Sequence, residues 1–98
     1  MKLMTRRDIP VDILTCDGDL NATHMVQIGN KVSRLIGQNH RHVLLDLKKA
    51  RRVDLAGLGI LVDRLRRIRE QRGDIRLCNL RPQVYEIFRL VGLNGLIE

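Results

Sequence analysis

The order of the hydrophobic patterns along the chain is the feature that most limits its fold. Short apolar runs typical of strands, at residues 11–16, 42–47 and 75–80, are each followed by a longer segment with apolar residues at helical spacing. This alternation predicts an α/β fold with a largely parallel sheet and right-handed crossovers. A chain of 98 residues is too short to bury two cores, so we expect a single domain over residues 1–98.

Three amphipathic helices are predicted between and after these strands. Their apolar faces are, helix by helix, Met25, Ile28, Val32 and Leu35; Leu58, Leu61, Leu65 and Ile68; and Val84, Ile87, Phe88 and Val91. Asn21 and Asp54 are placed to cap the first two helices, and Pro82 opens the third. The glycines expected to mark the three helix ends are Gly37, Gly73 and Gly92. Residues 1–8 are a candidate for a further edge strand.

The charge of the chain allows two interpretations. The net charge of +7 is compatible with nucleic-acid binding or with an acidic protein partner. Proteins that bind single strands stack bases on aromatic side chains, and here the only aromatics of that kind are Tyr85 and Phe88. The arginines are spread from Arg6 to Arg89 rather than concentrated on one element. We therefore expect a protein partner, and only weak, salt-sensitive binding to nucleic acid without sequence preference.

The cellular compartment follows from the absence of long apolar runs. No stretch approaches the length of a membrane span, and the first ten residues do not resemble a signal peptide. We expect a cytoplasmic protein that does not insert into membranes. Cys16 and Cys78 both lie in predicted strands, where buried, reduced thiols are the usual state in that compartment.

The sequence contains no recognisable catalytic or metal-binding set. His40 and His42 have no third ligand nearby, and the two cysteines are too far apart in sequence for a usual zinc motif. The only serine, Ser33, is expected to face solvent on the first helix. We therefore predict no catalytic residue, no metal and no cofactor, and a protein that acts by docking rather than as an enzyme.

Two glycines at the start of the second helix need a physical explanation. Gly57 and Gly59 each cost a helix roughly 1 kcal/mol relative to alanine. Leu55, just before them, is expected in a turn and falls outside the apolar face of the helix. This combination indicates close backbone approach, either by the sheet below or by a partner above. The docking surface that we predict consists of Asn21, Asp54, Leu55, Ala56 and Gly57.

Three segments resemble the STAS domain family, best known from bacterial anti-sigma factor antagonists: residues 43–47 (VLLDL), 53–59 (VDLAGLG) and 77–80 (LCNL). A fourth match is GDLN at residues 18–21, and the resemblance covers nearly the whole chain from Val11. It implies a STAS-like mixed, largely parallel sheet flanked by three to four helices. It also implies binding to an anti-sigma factor of histidine-kinase-like fold that is a serine kinase.

The chain departs from the family at the position that is usually phosphorylated. The family motif commonly reads Asp-Ser-Ser-Gly-Leu-Gly, but here Leu55 and Ala56 replace the two serines, and Asn21 replaces an acidic residue. Ala56 stands at the phosphoacceptor position and has no hydroxyl, so the resemblance predicts no switch there. Two readings remain, an anti-sigma factor antagonist that binds constitutively or the STAS subunit of a bacterial lipid-transport ABC complex, which also lacks the serine pair. Nucleotide binding, suggested for some STAS domains, has no supporting pattern.

Overall fold

The strands and helices follow one another in the predicted order. The structure, a computed structural model, describes residues 2–6 and 9–97, with side chains from residue 10 to residue 97. Within these residues the elements are β1 (Lys2–Arg6), β2 (Ile9–Thr15), α1 (Ala22–Gly37), β3 (His42–Asp46), α2 (Leu55–Glu70), β4 (Asp74–Cys78), α3 (Pro82–Leu90) and a short 3-10 helix, η1 (Asn94–Leu96).

The strands form one mixed sheet in the order β1-β2-β3-β4. β1 runs antiparallel to β2, with Lys2 opposite Ile13, whereas β3 is parallel to both β2 and β4. The predicted α/β fold with a mixed, largely parallel sheet and three helices is therefore confirmed. The edge strand expected within residues 1–8 is present at Lys2–Arg6, and positions 1, 7 and 8 of that prediction lie outside the described residues.

The core lies between one face of the sheet and the helices. Alternate strand residues such as Leu14, Leu45 and Leu77 are buried there, and the predicted apolar faces of α1 and α2 are buried against them. Val91 is the exception among the predicted core residues, because its side chain is 48% exposed. α3 ends one residue earlier, and the chain then turns at Gly92 so that Leu96 is buried in its place.

Non-glycine residues take the left-handed turns after the first two helices. Asn39 (φ 65°) and Arg72 (φ 61°) have positive φ, whereas Gly92 (φ 79°) ends α3 as predicted. Gly73 is closely packed instead, since a Cβ there would lie 2.7 Å from Cγ2 of Ile68 and 3.1 Å from its carbonyl oxygen. β4 ends before the predicted boundary because Asn79, with φ 57°, leaves the extended conformation.

Candidate functional site

Two loops join at the edge of the sheet where β2 and β3 end. The loop that leads into α1 and the loop that leads into α2 form a parallel bridge between Leu20 and Val53. The N–H of Leu20 donates to the carbonyl of Arg52 (2.9 Å), and the N–H of Asp54 donates to the carbonyl of Leu20 (3.1 Å). As a result, α1 and α2 begin side by side.

Both helix starts are capped by the predicted residues. The side-chain oxygen of Asn21 accepts from the N–H of His24 (2.8 Å), and that of Asp54 accepts from the N–H of Gly57 (2.6 Å). Because Asp54 is the cap, α2 already begins at Leu55, and the prediction that Leu55 lies in a turn is wrong. Leu55 is the first residue of the helix, and its side chain is 88% exposed.

The two glycines of α2 have different surroundings. A Cβ on Gly57 would lie 2.3 Å from the carbonyl oxygen of Leu20 and 3.0 Å from the carbonyl carbon of Asn21, so the bridged loop accounts for this glycine. A Cβ on Gly59 would meet nothing within 4 Å. The close approach inferred from the sequence is therefore intramolecular at Gly57, and no contact within the described chain explains Gly59.

Asp19 fixes the loop before α2, and the sequence reasoning did not identify it. Its Oδ1 accepts from the backbone N–H groups of Arg51 (2.9 Å) and Arg52 (3.0 Å). These two hydrogen bonds are the main reason that the pKa of Asp19 lies below its usual value.

Two further side chains hold the same region. The Nδ1 of His24 donates to the carbonyl of Asp19 (2.6 Å), and the guanidinium of Arg81 donates to the carbonyl of Lys48 (2.9 Å). These hydrogen bonds hold the loop before α2 and the start of α1 in place.

Acidification is expected to loosen this loop through Asp19. A carboxylate whose pKa is lowered by folding stabilises the native state above its unfolded pKa, and this stabilisation is lost as the pH falls through the folded value. We expect the amide NMR signals of Arg51 and Arg52 to titrate with an apparent pKa below 3.8, the usual value for aspartate. Asp19→Ala should remove this titration. Asp17→Ala is the control, because Asp17 is exposed and, within the described part of the chain, its ion-pair partner is Lys49, at 3.8 Å. Unchanged titration in Asp19→Ala would refute the assignment.

The five predicted docking residues are brought together at this edge. Leu55, Ala56 and Asp54 are exposed and Asn21 is half-buried, whereas Gly57 is buried and serves to let α2 approach the loop. Neither α1 nor α2 has an acidic residue in its first turn. The edge therefore combines an exposed apolar side chain with the N-termini of two helices, of which that of α2 carries the Asp54 carboxylate.

Cys16, Cys78 and His40 are further groups with the potential for chemistry. Burial raises the pKa of the Cys16 and Cys78 thiols, which keeps them protonated and poorly nucleophilic at neutral pH. The Nδ1 of His40 donates to the buried carboxylate of Asp12 (2.9 Å), a partner 28 residues away that the sequence did not indicate. Among the described residues, no cluster of three metal-ligating side chains occurs, and no helix is long and apolar enough to cross a membrane.

A known protein family matches nearly the whole chain. The family model of the STAS domain matches residues 2–98. BtrV of Bordetella bronchiseptica, named as a candidate anti-sigma factor antagonist, is 27% identical over 92 residues, which cover 94% of this chain and 79% of BtrV. The anti-sigma F factor antagonist of Paenibacillus polymyxa is 32% identical over 57 residues, which cover 58% of this chain and 46% of that protein.

Solved structures show the same architecture. The anti-sigma factor antagonist SpoIIAA in its unphosphorylated form matches with a TM-score of 0.71 and 26% identity, over 99% of this chain and 84% of SpoIIAA. TM1081 of Thermotoga maritima, also named as a candidate anti-sigma factor antagonist, matches with a TM-score of 0.76 over 99% of this chain and 82% of TM1081. The identity to TM1081 is 19%, so that likeness concerns the fold alone. The sheet and its helices thus have the arrangement that the sequence resemblance implied.

Proposed function

Because this chain belongs to the STAS domain family, we propose that it is an anti-sigma factor antagonist that binds its partner constitutively. The observation that carries the proposal is Leu55, an apolar side chain 88% exposed on a braced helix start. A large apolar side chain on a fixed helix start can be buried by a partner without reordering of the backbone, and such residues are candidate anchors of an interface. The names of BtrV and of the Paenibacillus polymyxa protein support the same role.

The partner that fits best is an anti-sigma factor of the serine-kinase type. The chain has a net charge of +7, which favours association with an acidic surface. The docking surface consists of Asn21, Asp54, Leu55 and Ala56 at the surface, with Gly57 beneath them. Such a protein acts in the bacterial cytoplasm on transcription, and the proposal includes no catalytic activity.

The transporter-subunit alternative has less support. A sulfate transporter family protein of Wolinella succinogenes shares the architecture, with a TM-score of 0.67, but its identity of 10% concerns the fold alone. The similar sequences with a named role are anti-sigma factor antagonists.

Calorimetry tests the proposal directly. The purified chain is titrated with each kinase-type anti-sigma factor from the same genome, and with a transporter ATPase from that genome as the comparison. We expect saturable binding to one anti-sigma factor and none to the ATPase. Binding to the ATPase together with no binding to any anti-sigma factor would reverse the assignment.

The replacement of serine by alanine at position 56 leads to a separate prediction. Ala56 is exposed in the first turn of α2, where a phosphate would place about two negative charges on the docking surface. We expect the wild-type chain to remain unphosphorylated and bound after incubation with the anti-sigma factor and ATP. Ala56→Ser should accept phosphate and then dissociate, and Ala56→Asp should bind about tenfold more weakly through charge alone. Intact-mass spectrometry and calorimetry give the two readouts.

Ser33→Ala is the control for phosphorylation elsewhere. Ser33 is exposed on α1, outside the proposed docking surface, so this variant should behave as wild type. Stoichiometric phosphate on the wild-type chain with loss of binding would mean that a switch operates at another residue, and the constitutive proposal would then fail.

A further inference from the structure

Gly59 lies on an exposed stripe of α2 that continues beyond the helix start. Residues four, seven, eleven and fourteen positions after Leu55 fall on one side of a helix, and here they are Gly59, Val62, Arg66 and Arg69. All of them are exposed, and Val62 is 45% exposed. Glycine weakens a helix, and the open space around Gly59 gives it no packing role within the described chain. A partner backbone that passes close to α2 would explain why a side chain is missing there.

The stripe ends in a groove between α2 and η1. The groove has a volume of about 420 Å³, and its apolar lining comes from Val62 and Leu65 of α2 and from Leu93 and Leu96 near η1. Leu93 is half-buried and Leu65 is buried, so the groove offers an apolar floor that is open to solvent. A complementary apolar side chain would fill it.

Although the arginines extend from Arg6 to Arg89, they are densest in the C-terminal half of α2 and the turn after it. Residues 63–72 carry five arginines and two carboxylates, a net charge of +3. Asp63 is shared between Arg66 (3.1 Å) and Arg67 (3.2 Å). Among the described residues no carboxylate lies within ion-pair distance of Arg69, which lines the groove with Arg66 and Glu70. The rim is therefore complementary to an acidic segment.

A stable interface buries more surface than the start of α2 alone can provide. Specific complexes bury about 800 Å² on each partner, from about 20–30 residues, and the five proposed docking residues fall well short of this. Leu55 and Val62 are seven residues apart, which corresponds to about 10 Å along a helix. One partner surface can therefore cover the helix start, Gly59 and the groove together.

We propose that the groove between α2 and η1 binds an acidic segment of the partner that inserts an apolar side chain between Val62, Leu93 and Leu96. The inference rests on the proposed function, because it extends the surface at Leu55 to a second region of the same partner. The segment crosses α2 at Gly59 and places its carboxylates against Arg66 and Arg69.

Calorimetry with the cognate kinase-type anti-sigma factor tests the groove through variants outside the helix start. We expect Val62→Asp to weaken binding at least tenfold, and Arg69→Glu to weaken it about fivefold and flatten its salt dependence. Arg67→Glu is the matched control, because Arg67 pairs with Asp63 and does not line the groove, and its affinity should stay within twofold of wild type. If Val62→Asp and Arg69→Glu both bind like wild type while Leu55→Asp is impaired, the groove inference is wrong and the proposed function stands.

A peptide titration tests the groove without the anti-sigma factor. The isotope-labelled chain is titrated with a synthetic helical peptide that has leucines on one face and glutamates elsewhere, and with a second peptide that has lysines in place of the glutamates. We expect the acidic peptide to shift the amide NMR signals of Val62, Leu93 and Leu96, and the basic peptide to leave them unchanged. Shifts that miss the groove, or that are equal for both peptides, would overturn the inference whatever the anti-sigma factor does.

Discussion

Gly57→Ala is expected to lower the free energy of unfolding by about 2 kcal/mol, because overpacking a close contact costs up to about 3 kcal/mol and the helix propensity gained returns about 1 kcal/mol. The new Cβ would lie 2.3 Å from the carbonyl oxygen of Leu20. That oxygen cannot move away freely, because it accepts the N–H of Asp54 and belongs to the bridge between Leu20 and Val53. The strain should therefore separate the two loops that carry the proposed docking surface.

Gly59→Ala is the matched control, two residues further along the same helix. Its Cβ meets nothing within 4 Å, so the substitution should raise the free energy of unfolding by up to about 1 kcal/mol through helix propensity alone. Urea denaturation measures the free energy of unfolding of both variants. The two substitutions should change it in opposite directions, and the variants should differ by about 3 kcal/mol. Equal effects of the two substitutions would show that the contact at Leu20 is not a constraint.

The element order and the helix caps could be predicted from the sequence because their signals are local. Hydrophobic periodicity identifies α1 and α2, and the side chains of Asn21 and Asp54 act on N–H groups only three residues away. The resemblance to the STAS family depended on similarly short segments, such as residues 53–59. The sequence was thus sufficient for the fold and for the caps of α1 and α2, whereas the docking surface stays a prediction.

The remaining features depend on contacts between distant parts of the chain. The hydrogen bonds from Arg51 and Arg52 to Asp19 span 32 and 33 residues, and no local pattern indicates them. Gly57 and Gly59 look equivalent in the sequence, and only the position of Leu20 separates a glycine required by packing from one in open space. The groove at η1 was also missed, because Leu93 and Leu96 follow a helix end and show no periodicity.

Leu55→Asp is expected to weaken binding to the anti-sigma factor by about 2 kcal/mol or more, which is roughly 30-fold in Kd. The side chain is 88% exposed, so it contributes little to the core, and its substitution should not unfold the protein. An aspartate in the first turn of α2 interacts favourably with the helix dipole, so stability should be unchanged or slightly higher. The loss of affinity would therefore come from the contact itself. Calorimetry with the anti-sigma factor and a thermal melt of each variant separate the two quantities.

Leu90→Asp provides the comparison that makes this result specific. Leu90 is 74% exposed at the end of α3, outside both the proposed docking surface and the groove lined by Leu65 and Leu93. The two substitutions place the same charge on similarly exposed leucines, so a general effect of acidity would weaken both complexes alike. We expect Leu90→Asp to stay within twofold of wild type. Should Leu55→Asp also bind as tightly as wild type, the start of α2 would not be the docking surface, because an anchor residue cannot be replaced by a charge without loss of affinity.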